Sequence, residues 1–149
     1  MARIEDHRLL IGRGRYTADV DMPGQLYAYF LRSDRAHARI KRIVAARARS
    51  SPGVSLVLLG ADVAQLAWPP CFVRYPGLGG KAILQPRRHA IALDRVRFSG
   101  ELVAMAVADS AALAEDAVGL MEIEYEELPA VADAGQACAH GAQIGRAHV

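Results

Sequence analysis

Apolar and polar positions alternate along "QLYAYFLRS" (25–33). Leu26, Ala28, Phe30 and Arg32 fall on one side and Tyr27, Tyr29 and Leu31 on the other, which predicts a β-strand. Aromatic residues on both sides predict that this strand is buried over most of its surface. "ARIKRIV" (38–44) predicts a second strand that runs into a short helical "AARAR", which "SPG" (51–53) breaks. "VSLVLL" (54–59) reads as a short apolar strand, and "ADVAQL" (61–66) as one or two helical turns with Asp62 near the start. "HAIALDRVRF" (89–98) and "GELVAMAVAD" (100–109) read as strands joined at Gly100, where the turn calls for a positive φ. "SAALAEDAVGLM" (110–121) is the clearest helix, with Ser110 as N-cap and Leu113, Ala117, Val118 and Met121 as its apolar stripe. "MEIEYEEL" (121–128) sets Met121, Ile123 and Tyr125 against Glu122, Glu124 and Glu126. That predicts a half-exposed strand with an acidic outer face, ended by Pro129.

Two stretches lack periodicity. "IGRGRYTADVDMPGQ" (11–25) reads as a loop punctuated by Gly12, Gly14, Pro23 and Gly24. Trp68–Arg88 is rich in Pro and Gly and reads as a long excursion. The elements do not alternate strand and helix. The expected fold class is therefore α+β, with a mixed β-sheet of about six strands and two or three short helices.

An apolar share of 52% and a charged share of 23% suit a globular domain with a core. No apolar run reaches the roughly 18 residues of a membrane span. "MARIEDHRLL" has acids where a secretory signal would be apolar, so a cytoplasmic location is expected. Cys71 and Cys138 form no paired motif and are expected to be reduced thiols. Charge is uneven: residues 1–100 carry 17 Lys/Arg and 7 Asp/Glu, and residues 101–149 carry 1 and 9. The basic part could serve nucleic acid. It could equally fold against the acidic part or face a larger partner. Its basic residues are scattered singly, which favours the second reading.

Candidate chemistry is thin. "GRGRYT" lacks the third glycine of a dinucleotide site. "GLGGKA" has Tyr75 where a phosphate-binding loop needs its first glycine and Ala82 where it needs Ser or Thr. His7, His37, His89, His140 and His148 show no metal-ligand spacing. No serine sits in a nucleophile elbow. The sequence thus offers no catalytic, cofactor-binding or metal-binding set.

Four stretches in order carry a resemblance: "EDHRLLIGRGRYTADVDMPGQLYAYFLRSDRAHARI" (5–40), "SPGVSLVLLGADV" (51–63), "ALDRVRFSGELVAMAVADSAALAEDA" (92–117) and "IEYEELPAVAD" (123–133). Together they resemble the N-terminal α/β-hammerhead domain of the molybdenum-binding large subunit in the xanthine dehydrogenase, aldehyde oxidase and aerobic carbon monoxide dehydrogenase family. The resemblance covers residues 3–142. It departs most in 68–88, and Leu102 stands where the family often has proline.

The resemblance implies a parent oxidoreductase that uses a molybdenum–pterin cofactor, with water as oxygen source and iron–sulfur and FAD partners for the electrons. The family's catalytic glutamate and pterin-contacting motifs match no position here. The implied role is a non-catalytic structural or docking domain next to a downstream molybdenum-binding domain, without nucleic acid or membrane. The alternative is a free-standing module that uses a basic face for an acidic partner such as nucleic acid. The matching positions are structural in type: Gly12, Gly14, Tyr16 and Asp19; Arg32, Ser33, His37, Ala38 and Arg39; Gly100 and Glu101; Tyr125, Leu128 and Pro129. Of these, Arg32, His37, Arg39, Gly100, Glu101, Tyr125 and Pro129 are the candidate structural and interface residues. Arg32 and Arg39 lie beside apolar positions, so their guanidinium groups must find carboxylates or carbonyls, with Glu101 and the acids of 122–127 as candidates. Residues 143–149 are expected to be a non-native tail. "IGRAHV" back-translates as ATC GGA AGA GCA CAC GTC, the start of a widely used sequencing adapter.

Overall fold

A computed structural model describes residues 3–66, 80 and 88–137. Most of the 68–88 excursion, both cysteines and the expected tail 143–149 lie outside the described residues. In chain order the elements are α1 (Asp6–Leu10), β1 (Tyr27–Arg32), β2 (Ala38–Val44), α2 (Ala46–Arg49), β3 (Val54–Leu59), β4 (Arg95–Val96), β5 (Leu102–Ala108), α3 (Ala111–Gly119), β6 (Glu122–Glu127) and α4 (Ala134–Ala137). Two 3₁₀ turns, Thr17–Asp19 and Gly60–Val63, complete the set. The strands form two three-stranded sheets, β1-β5-β3 and β4-β2-β6, paired antiparallel throughout. The α+β class and the strand number expected from the sequence are both present.

Each sheet has its own core. Ala104 and Ala106 of β5, Val57 of β3, Ala48 of α2 and Ala117 and Val118 of α3 make the first. Small residues on β5 let α3 approach the sheet closely. Ala38, Ala92, Val96 and Val103, with Ile40, Ile43, Ile123 and Tyr125 packed against them, make the second. Val103 belongs to β5 yet is fully buried in the second core. Burial of one such side chain is worth about 1.5–3 kcal/mol, so Val103 couples the two halves.

Three bulges make this possible. Ile40 pairs with Tyr125 but Arg42 pairs with Glu124, so Lys41 is an extra residue. A regular strand would put Ile40 and Ile43 on opposite faces; the bulge turns both inward. Ser55 does the same in β3, and Val54 and Val57 both reach the first core. In β5 the extra residue opposite β1 is Val103 itself.

Several expectations change. The 89–98 segment is a strand only at Arg95–Val96. It crosses between sheets: the Ala92 N–H donates to the Leu102 carbonyl, and the Asp94 carbonyl accepts from the Ile40 N–H. α3 starts as expected, with the Leu113 N–H donating to Ser110 Oγ at 3.2 Å. Its buried stripe, however, is Ala114, Ala117 and Val118, while Leu113 is 37% exposed. β1 is not buried on most of its surface. Its two sides fall as the alternation predicts, but Tyr29 and Phe30 remain 40% and 39% exposed. α2 and α3 cover one face of that sheet; on the other, Ala28, Phe30 and Leu56 are exposed and Leu58, Met105 and Val107 are half-buried.

Candidate functional site

Arg32, Gly100 and Glu101 meet at the end of β1, and His37 and Pro129 meet between the start of β2 and the end of β6. β1 ends at Arg32, and the chain passes through Ser33, the one buried polar side chain among the described residues. Ser33 is held from both sides. Its N–H donates to the Glu101 carbonyl at 2.9 Å, and its carbonyl accepts from the Gly100 N–H at 2.7 Å. Its hydroxyl accepts from the Arg35 N–H at 2.9 Å and bonds the Arg35 carbonyl at 3.0 Å, a local loop that turns the chain toward β2.

Arg32 Nη1 donates to the Gly100 carbonyl at 2.9 Å. Gly100 has φ +88°, a conformation that glycine takes without penalty, as its turn position predicts. The Glu101 carboxylate is 16% exposed, accepts from the Arg97 N–H at 2.5 Å and lies 3.8 Å from Arg97 Nη1. The Phe98–Glu101 turn is thereby fastened to the end of β1 by backbone and side chain together.

His37 fastens the other side. Its Nδ1 is 2.8 Å from the Pro129 carbonyl. A carbonyl only accepts, so Nδ1 carries the proton. The His37 carbonyl accepts from the Leu128 N–H at 3.0 Å. Tyr125 packs against the second core, and burial pushes its phenol up. The Ser33 hydrogen bond opposes that, the Asp34 charge adds to it and the Arg35 charge opposes it.

Arg39 stands apart from this cluster. It projects from β2 and reaches Glu126 of β6 at 3.5 Å, with Lys41 Nζ 3.8 Å from the same carboxylate. Arg35 meets Glu127 at 3.0 Å. The uneven charge of the sequence thus finds partners inside the domain, basic β2 against acidic β6. These pairs are largely exposed and each contributes at most about 1 kcal/mol.

Sequence reasoning missed Arg35, Asp94 and Arg97. Asp94 sits 3.0 Å from Arg95 and 3.7 Å from Arg97. Partial burial pushes its carboxyl up, but the Arg95 hydrogen bond and charge, a backbone hydrogen bond and the Arg97 charge outweigh that. They hold it below its ordinary 3.8. The alternation of charge in "DRVR" was the available signal, an acid beside one arginine and near a second.

A groove of about 230 Å³ runs beside the cluster, lined among others by His37, Arg95, Arg97, Phe98, Pro129 and Val131. That is below the roughly 300–1,000 Å³ of a small-molecule site. Its arginines are already paired with Asp94 and Glu101. Among the described residues no three His, Cys, Asp or Glu side chains gather as metal ligands. No helix among them is long and apolar enough to cross a membrane. What the arrangement does chemically is hold backbone to backbone.

A family model described as aldehyde oxidase and xanthine dehydrogenase, a/b hammerhead domain, matches residues 11–129. The chain is 44% identical over 131 residues to the nicotine 6-hydroxylase large subunit of Paenarthrobacter nicotinovorans, covering 88% of this chain and 16% of that one. Among solved structures, quinoline 2-oxidoreductase from Pseudomonas putida 86 superposes with a TM-score of 0.83 and 45% identity, over 96% of this chain and 18% of that one. The Cu,Mo-CO dehydrogenase superposes with a TM-score of 0.78 and 36% identity, over 96% and 17%. The chain therefore spans about one sixth of the length of the relatives it matches.

Proposed function

Because the chain belongs to the aldehyde oxidase and xanthine dehydrogenase family, as its a/b hammerhead domain, we propose that it is a non-catalytic structural and docking domain of a molybdenum-dependent hydroxylase large subunit. The observation that carries this reading is how the candidate residues spend their polar groups. Arg32 bonds the Gly100 carbonyl, Ser33 the Arg35 carbonyl, His37 the Pro129 carbonyl and Glu101 the Arg97 N–H, so each side chain is spent on the domain's own backbone. The domain is a rigid bracket.

In this reading Arg32, Gly100 and Glu101 hold the end of β1 to the turn before β5, His37 and Pro129 hold the start of β2 to the end of β6, Tyr125 packs the second core and Arg39 pairs across β2 and β6. The molybdenum–pterin cofactor and the substrate belong to the much longer remainder of the subunit, which works in the cytoplasm with iron–sulfur and FAD partners. The cofactor would supply oxygen-atom transfer from water; the residues described here would supply position and a surface for the rest of the chain.

The test is to sequence the gene 3′ of the codon for Gln143, express the full open frame with its neighbouring genes, and measure bound molybdenum. Molybdenum in the full-length product and no hydroxylation by residues 1–142 alone is the expected outcome. Turnover of an aldehyde or N-heterocycle by residues 1–142 alone would refute the non-catalytic role. A frame that closes within a few codons would refute the large-subunit assignment.

A further inference from the structure

We propose that the face of the β1-β5-β3 sheet turned away from α3 is the surface on which the rest of the same large-subunit chain packs. This rests on the reading just given. Residues paired across strands point to the same side. Phe30, Met105 and Leu58 form one row across the sheet, and Ala28, Val107 and Leu56 form the next. All six are apolar, and Phe30 and Leu56 remain 39% and 46% exposed. The alternate rows, Tyr29–Ala106–Val57 and Leu31–Ala104–Leu59, belong to the side covered by α2 and α3.

An antiparallel sheet with one wet side carries polar residues there. The β4-β2-β6 sheet of this protein obeys that rule: Arg39, Lys41 and Arg42 of β2 lie across from Glu124 and Glu126 of β6. The first sheet does not, since both of its faces are apolar over three strands. One chain therefore builds a solvent face on one sheet and a core face on the other. Contiguous apolar surface of that kind marks an interface.

The length of the relatives argues for the occupant. In nicotine 6-hydroxylase the matched region is 16% of the large subunit, so several times this domain's mass is attached to it by the backbone. A covalently tethered neighbour meets the face at high effective concentration, ahead of a separate subunit. Arg32, the last residue of β1, donates to the Gly100 carbonyl.

Phe30 and its neighbour Tyr29 start equally exposed on opposite faces, so they form an internal pair for the test. The native holoenzyme is footprinted with hydroxyl radicals, and oxidation is read per residue by mass spectrometry. We expect Phe30 to react roughly tenfold more slowly than in the urea-unfolded chain, as in the close-packed centre of an interface. A Phe30 rate within about twofold of the unfolded chain would overturn the proposal. A photo-cross-linker at Leu56→benzoylphenylalanine identifies the occupant. A cross-link within one chain to residues beyond 149 supports the proposal; one to residues 67–87 or to another subunit overturns it. Molybdenum content and turnover of the same preparation report separately on the large-subunit reading. A loaded, active enzyme with a freely reactive Phe30 would sink this inference and leave that reading intact.

Discussion

Replacing Gly60 by alanine tests how tightly the 3₁₀ turn after β3 is built against the segment that crosses between sheets. Gly60 is buried and has no positive φ, so backbone freedom is not what selects glycine there. The constraint is space: a Cβ at position 60 would lie 2.1 Å from the Ala92 carbonyl oxygen, 2.8 Å from the Ala92 carbonyl carbon and 3.1 Å from Leu93 Cα. All three are backbone atoms, so no side chain can swing away. The first contact is roughly 1 Å short of van der Waals separation. Relief requires moving Ala92, which is 2% exposed in the second core and whose N–H bonds the Leu102 carbonyl at 2.8 Å. Overpacking of this kind costs about 1–3 kcal/mol. Weakening a buried backbone hydrogen bond adds about 1 kcal/mol. We therefore expect Gly60→Ala to lose about 2–4 kcal/mol, a large share of the roughly 5–15 kcal/mol that holds a domain folded. In urea denaturation followed by circular dichroism, the midpoint should fall by about 1–2 M with the slope unchanged. Gly119→Ala is the control. Nothing lies within 4 Å of a Cβ built there, so the same chemical change should be neutral or stabilise α3 by up to about 1 kcal/mol. A Gly60→Ala midpoint indistinguishable from that of the parent would refute the close approach of the turn to Ala92.

Ser110→Ala removes the hydroxyl that accepts from the Leu113 N–H and should cost about 1 kcal/mol in the same assay, with Ser110→Asp restoring most of it. His37→Ala removes the donor to the Pro129 carbonyl and should cost about 1 kcal/mol, whereas His37→Asn can present an N–H from nearly the same place and should cost less. Equal losses for the two would argue that the ring packs there and does not bond. Asp94 predicts a pH effect. Its folded pKa lies below its ordinary 3.8, so its contribution is complete above that value and disappears as pH falls through the lower, folded one. The stability gap between the parent and Asp94→Asn should be constant near neutrality and narrow only in acid below about pH 3.8. A gap that narrows between pH 8 and 5 would mean that another group carries it.

Periodicity gave the strands and bulges decided what they face. Strict alternation placed Tyr29 and Phe30 on opposite sides of β1, and the register agrees. The same rule applied to "ARIKRIV" would have split Ile40 from Ile43, and applied to "VSLVLL" it would have split Val54 from Val57. An extra residue in each strand, Lys41 and Ser55, reunites them. A bulge has no periodic signature; it is chosen by whichever register buries more, and that depends on a partner strand distant in sequence. "HAIALDRVRF" fails for a related reason. Its Ala92 and Val96 both join the second core, but its backbone bonds β5 at Ala92 and β2 at Asp94, so it reads as one strand and bonds as a bridge. Of the candidate residues, named by likeness, Arg32, Gly100 and Glu101 meet at the end of β1 and His37 and Pro129 meet beside β2 and β6, while Arg39 stands apart. Arg35, Asp94 and Arg97 went unnamed because charged residues near turns are commonplace, and only the fold shows which of them meet. The exposure of Phe30 is a failure of another kind. The pattern of β1 demanded burial on both sides, and the described residues bury one. Ala28, Phe30, Leu56, Leu58, Met105 and Val107 carry a core-like pattern on a face the described residues leave partly open, and that pattern is what the docking surface proposed above rests on.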